Sequence, residues 1–274
     1  MVFNEHYYAS SDTFGTDFIF AMMWHTSPAR RLDVTKPDDV ILAVNNAYRD
    51  MMPRTINGIG LSNLDKIPAK TASNSDKQAL RNVKSDLLNE LRTNLAKNII
   101  DKVFHAKGGI GAFNDTIHEA LCNEFIKDFT AKIKTLNMAI DNFNLNHPLS
   151  KNQAITSIDP AQITYGKAQK IVNMSMKLLY CFDNAHIYKT TVFQNCHIPI
   201  DSIILKFFRL NSSYVWSNLT PDKYREVQDE CKKQWENKIN AAGLLPTDDM
   251  RYIFFAEFLI WNSGKTIDTI TILP

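Results

Sequence analysis

Between Leu80 and Val103 the apolar residues of this chain stand at Leu80, Val83, Leu87, Leu91, Leu95, Ile99 and Val103. Steps of three and four, kept up for more than six turns, bring those side chains to one face of a helix. No stretch alternates convincingly with a period of two and no internal repeat is evident, so the pattern predicts an all-α chain without a substantial sheet. Its 274 residues are 45% apolar and 22% charged, enough to bury a sizeable core and unlike a disordered chain. No run of about 18 apolar residues predicts a membrane span.

Charge and cysteine usage narrow the class further. The net charge of +2 neither demands nor excludes nucleic acid. Around the long helix, however, residues 66–107 hold nine Lys or Arg against four acids. A solvated helix face accounts for that excess; a phosphate-contacting face is the sharper alternative. The four cysteines, Cys122, Cys181, Cys196 and Cys231, contain no CxxC pair. That argues against a zinc or iron–sulfur cluster and fits free thiols in a reducing cytosol. The opening MVFNEHYYASSD has neither the charged start nor the apolar core of a secretory signal, so a cytoplasmic protein is expected.

Other segments read in the same way. Phe14, Phe18, Phe20 and Trp24 read as core, and Pro37-Asp38-Asp39 opens a helix that stops before Pro53. After the basic helix, Gly108-Gly109-Ile110-Gly111 suits a C-cap and a tight turn, with phosphate binding as the sharper option. Residues 113–143 form a further amphipathic helix. A short helix at Pro160, a turn through Gly166 and a helix from Lys167 would make a hairpin able to aim amides at a DNA phosphate. Thr220-Pro221-Asp222 is a helix start, and Gly243 a stop. The last helix is apolar on nearly every side, so Glu257 within it requires a partner.

Two features bear on chemistry. Lys170 and Lys177 are seven residues apart, close to two helical turns, so both ammonium groups leave one face. Asp201, with Ser202, stands just before the apolar run IILKFF, where an N-cap carboxylate sits. Taken singly, a helical lysine is a surface charge and an aspartate before a helix is a cap. Together, a lysine and a carboxylate able to take its proton make an amine nucleophile.

The string Lys170-Ile-Val-Asn-Met-Ser-Met-Lys177, followed by Ile198-Pro-Ile-Asp201, resembles the archaeal GO DNA glycosylase family. That family is a divergent branch of the helix-hairpin-helix DNA glycosylase superfamily, and its members remove 8-oxoguanine. Downstream order agrees: the Thr-Pro helix with Gln228 and Gln234-Trp235, then Ala242-Gly243-Leu-Leu-Pro246, an aspartate, and an aromatic helix ending near Trp261. The likeness spans about residues 160–262. It implies a two-lobed helical fold with a reduced helix-hairpin-helix element. It also implies Lys170 as Schiff-base nucleophile, Asp201 as catalytic aspartate and Lys177 as a base-contacting lysine. Asp249, with Asp248 as the other candidate, would hold the flipped base. Phe254 stands where the archaeal enzymes have tryptophan. Ile163-Thr-Tyr-Gly166 is shorter than the usual Leu-Pro-Gly-x-Gly hairpin; Gly166 and Lys167 would there face DNA.

The expectation is therefore a monomeric DNA glycosylase/AP lyase acting on double-stranded DNA with a damaged or modified base, 8-oxoguanine foremost, in the cytoplasm or on the nucleoid. It needs no metal or other cofactor. Residues 1–150 would form an N-terminal helical lobe carrying the basic helix 75–107, and residues 151–274 the catalytic part. Two alternatives keep the fold: a monofunctional enzyme in which Asp201 activates water, and a non-enzymatic binder or sensor of modified or foreign DNA.

Overall fold

The computed structural model describes residues 34, 36–51, 60–65, 67, 72–105, 113–147, 154–182, 192–243 and 252–272. Expectations for the N-terminal aromatics, for Gly108–Gly111 and for Asp248 and Asp249 fall outside these residues. Among the described residues the chain is all-α, with no strand. The α-helices are α1 (Pro37–Met51), α2 (Asn74–Ile99), α3 (Asp115–Asn146), α4 (Tyr165–Phe182), α5 (Ser202–Phe207), α6 (Pro221–Ala241) and α7 (Ile253–Ser263). None of them is long and apolar enough to cross a membrane.

The predicted stripe of α2 is largely inward: Leu80, Leu91, Leu95, Ile99 and Val103 are buried. Ser73 caps the helix by accepting from Asp76 N, and beyond Ile99 the helix loosens into a π-helical turn over Ile100–Phe104. Helix α3 starts on an Asn114 cap and buries Leu121, Phe125, Phe129, Ile133, Leu136, Ile140 and Phe143 at helical spacing. Helix α5 ends at Phe207, within the apolar run IILKFF. Arg209 takes a left-handed φ of 58°, which turns the chain out of the helix.

Helix α4 is the axis. Every residue from Ile171 to Tyr180 is buried, polar ones included. Helices α1 and α3 pack on it from the N-terminal side of the sequence and α6 from the C-terminal side, while α7 packs against α5 and α6. Such a helix has no solvated face on which to leave a polar group unmatched.

With no sheet among the described residues, extended connectors need other partners for their backbone groups. Side-chain amides of the helices supply them. Asn137 exchanges two hydrogen bonds with the Ile158 backbone (2.7 and 2.8 Å), and Asn144 two with Ile155 (2.9 and 3.1 Å). Gln169 of α4 does the same for Ile200 (2.8 and 3.2 Å).

Candidate functional site

The start of α4 differs from the expected hairpin. Pro160–Gln162 is a single 3-10 turn capped by Asp159, and α4 begins at Tyr165, so Gly166 lies within its first turn. The Gly166 N–H donates to Leu219 O at 3.1 Å. A Cβ on Gly166 would stand 2.0 Å from Trp216 O, so glycine is required here by the close approach of residues 216–219. Its amide therefore serves this packing contact in place of a phosphate. Lys167 Nζ donates to Gln162 O at 2.8 Å.

Lys170 and Asp201 are brought together. Asp201 caps α5, its Oδ1 accepting from Ile203 N at 2.8 Å and Ile204 N at 3.0 Å. That leaves Oδ2 for Lys170 Nζ, 3.2 Å away. The two side chains are 16% and 10% exposed, so solvent reaches the pair without surrounding it. Trp216 contributes one wall, its ring centroid 5.1 Å from Nζ. The capping bonds hold one carboxylate oxygen and orient the other towards the amine.

Lys177 points to the same side of α4 but lies deeper. Its Nζ is 2.8 Å from Glu257 Oε1 on α7, and both side chains are 1% exposed. This is the partner that Glu257 required. Burial raises the pKa of Glu257; Lys177 opposes that rise, and so does Lys170, while Asp201 adds to it. Two lysines and two carboxylates thus form one electrostatic group across α4, α5 and α7. In this arrangement Lys177 reaches the Glu257 carboxylate and is closed off from solvent. Phe254 is likewise fully buried, its ring centroid 5.8 Å from that of Tyr180 and 6.2 Å from that of Phe193.

Roughly 60° to 100° round α4 from Lys170 lies a polar cluster that the sequence reading passed over. Asn173 Nδ2 donates to Gln169 Oε1 (3.0 Å) and to the Tyr224 hydroxyl (2.9 Å). Gln228 Nε2 also donates to that hydroxyl (2.9 Å) and to Ile198 O (2.6 Å). The same hydroxyl lies 3.0 Å from His197 Nδ1 and 3.3 Å from His118 Nε2. The opposite nitrogen, His197 Nε2, donates to Asp115 at 2.8 Å, and that bond holds the Asp115 carboxyl below its ordinary range. His118 stacks on Tyr224 at 5.0 Å, and burial, aided by the nearby His197, keeps it well below the usual imidazole range.

The cluster opens on a cleft of about 660 Å³ lined by Asp115, His197, Gln228, Lys232, Glu236 and Tyr252 among others. Both nitrogens of His197 are already bonded, so the imidazole has no free edge for a ligand in that cleft. Among the described residues no group of three or more His, Cys, Asp or Glu side chains is placed to share a metal ion.

No family model, no curated protein and no solved structure matches this chain.

Proposed function

We propose that the protein is a DNA glycosylase with AP lyase activity, removing a damaged or modified base, 8-oxoguanine foremost, from double-stranded DNA. The observation that carries this reading is the Lys170 Nζ–Asp201 Oδ2 contact of 3.2 Å, in a pair that is neither solvated nor sealed. An ordinary cap does not need a lysine, and a surface lysine does not need a cap. The resemblance of residues 160–262 to the archaeal GO glycosylases adds the expected chemistry and a two-lobed helix-hairpin-helix arrangement.

Asp201 takes the proton of Lys170 and leaves a neutral amine. The extruded nucleotide brings C1′ to that amine, after an unstacking cost of a few kcal/mol. The Nζ–C1′ bond forms and the glycosidic C1′–N bond breaks, the base leaving with the bonding pair and the proton that Asp201 had taken. Asp201, ionised again by that transfer, stabilises the positive charge that develops on the sugar. A proton then passes from the attached Nζ through Asp201 to O4′ as the C1′–O4′ bond opens, which gives the iminium. Loss of a C2′ proton then expels the 3′ phosphate and nicks the strand.

Borohydride trapping on duplexes carrying 8-oxoguanine, uracil, alkylated bases or an abasic site tests this directly. A reduced protein–DNA adduct is expected with at least one of them, and none with Lys170→Gln at unchanged folding. Full excision and nicking by Lys170→Gln would remove the lysine from the mechanism. A second reading is favoured by the burial of Lys177 against Glu257, which leaves that lysine out of reach of a base. It is a non-enzymatic binder of modified DNA, and its signature is a mobility shift on modified duplexes with no adduct on any.

A further inference from the structure

Gln169 and Lys170 are neighbours on α4, and Ile200 and Asp201 are neighbours on the opposite segment. Each residue of one pair bonds a residue of the other. Gln169 Nε2 donates to Ile200 O at 2.8 Å, and Ile200 N donates to Gln169 Oε1 at 3.2 Å. One position along, Lys170 Nζ meets Asp201 Oδ2. We propose that Gln169 is a positioning residue that fixes the Asp201 carboxylate against the Lys170 amine; for catalysis, this rests on the lyase reading above.

The argument is one of saturation. A side-chain amide offers two N–H donors and two acceptor lone pairs. Gln169 uses all four: Nε2 donates also to Gly166 O at 2.9 Å, and Oε1 accepts also from Asn173 Nδ2 at 3.0 Å. The residue is fully buried, so no water competes for these groups. Turning the amide over would set its NH₂ against the Ile200 and Asn173 donors and its oxygen against two carbonyls. The amide therefore has a single orientation, and the Ile200 backbone follows it. Asn173 is in turn held by Tyr224, and Tyr224 by Gln228 and His197. The related amide–backbone pairs of Asn137 and Asn144 hold the connector that leads to Asp159. Only the Gln169 pair borders the lysine and the aspartate.

Gln169→Met keeps the length of the side chain and removes every one of these hydrogen bonds. The first readout is independent of any enzymatic reading: the rate at which acetic anhydride labels Lys170, followed by mass spectrometry. With Asp201 loosened, that rate is expected to rise at least half-way, on a logarithmic scale, to the rate in Asp201→Asn. The second is the single-turnover rate of borohydride adduct formation, expected to fall by about ten- to a hundred-fold, the scale of a displacement near 1 Å. Duplex affinity measured without borohydride should stay within about two-fold, the margin of a change that leaves binding contacts in place. If Gln169→Met does not fold, Gln169→Glu replaces it. A carboxylate can accept from Ile200 N and cannot donate to Ile200 O, so its defect should shrink as pH falls and the carboxyl regains a proton. Unchanged Lys170 labelling in a folded variant, or a Gln169→Glu defect that ignores pH, would overturn the proposal. A wild type that forms no adduct, with Gln169→Met still raising the labelling rate, would sink the lyase reading and leave the positioning role standing.

Discussion

Helices α2 and α4 both carry lysines, and they use most of them in different ways. Apart from the buried Lys77, the cations of α2 lie at or near the surface, most of them engaged locally. Lys84 reaches Asp65, Arg81 donates to Leu64 O and Asp65 O, and Arg92 lies over the Tyr48 ring at 4.8 Å. Glu90 of the same helix takes Lys132 from α3 at 2.7 Å. Much of the local basic excess that suggested a phosphate-contacting face is thus committed within the protein. Helix α4 instead holds Lys177 out of water altogether and sets Lys170 against a carboxylate that is 10% exposed, whereas Asp65 and Glu90 are 54% and 62% exposed. Exposed pairs contribute at most about 1 kcal/mol each, whereas stranding one buried charge costs several. The sequence distance between charges says little about which regime applies; burial decides.

The largest effect should come from breaking the buried pair on one side. Lys177→Met or Glu257→Leu alone leaves an uncompensated charge and should cost about 3–5 kcal/mol in urea denaturation. The double substitution should recover most of that loss. A single variant as stable as wild type would place the α4 pair in the same class as those of α2.

His118 is intermediate, buried beside α4 but uncharged. Burial keeps its folded pKa well below the ordinary range, whereas the unfolded chain takes up a proton near pH 6.5, so the unfolded state binds more protons in acid. Stability should therefore fall as pH drops below about 6.5, by up to about 1.4 kcal/mol per pH unit from this group. His118→Asn should flatten that slope in denaturation curves taken between pH 7 and 5. An unchanged slope would assign the loss to other groups.

The smallest effect belongs to α2 and its neighbours. Lys132→Ala, which opens contacts to Glu90 and Asp128, should cost no more than about 1 kcal/mol and lose its effect in high salt. A cost of several kcal/mol would erase the contrast between the two helices.

The sequence made the helices legible because their signals are local. The three-to-four spacing from Leu80 to Val103, the Asp201 cap and the Thr220-Pro221 start each depend on a few neighbouring residues, and each is present. The need of Glu257 for a partner was also readable, since a carboxylate in an apolar helix cannot stay unmatched. What could not be read were bonds between distant segments. Nothing in the order of residues marks Gln169 for Ile200, Gly166 N–H for Leu219 O or Trp216 for Lys170. Their spacing along the chain carries no period, and the choice is made by how α4 is wrapped. Lys177 shows the same limit. Its place on the face of Lys170 was legible, but its depth was not.

The wrapping of α4 also has a consequence for synthesis. Helix α1 leaves the ribosome with Val40, Ala43, Val44, Ala47 and Tyr48 on one side, all covered in the finished protein, where α1 packs on α2 and α4. Helix α4 follows more than a hundred residues later. At 5–20 residues per second that interval is roughly ten seconds. For that time the apolar stripe of α1 has part of its lasting cover still inside the translation machinery, which makes the nascent first half of this chain a natural client for a holding chaperone.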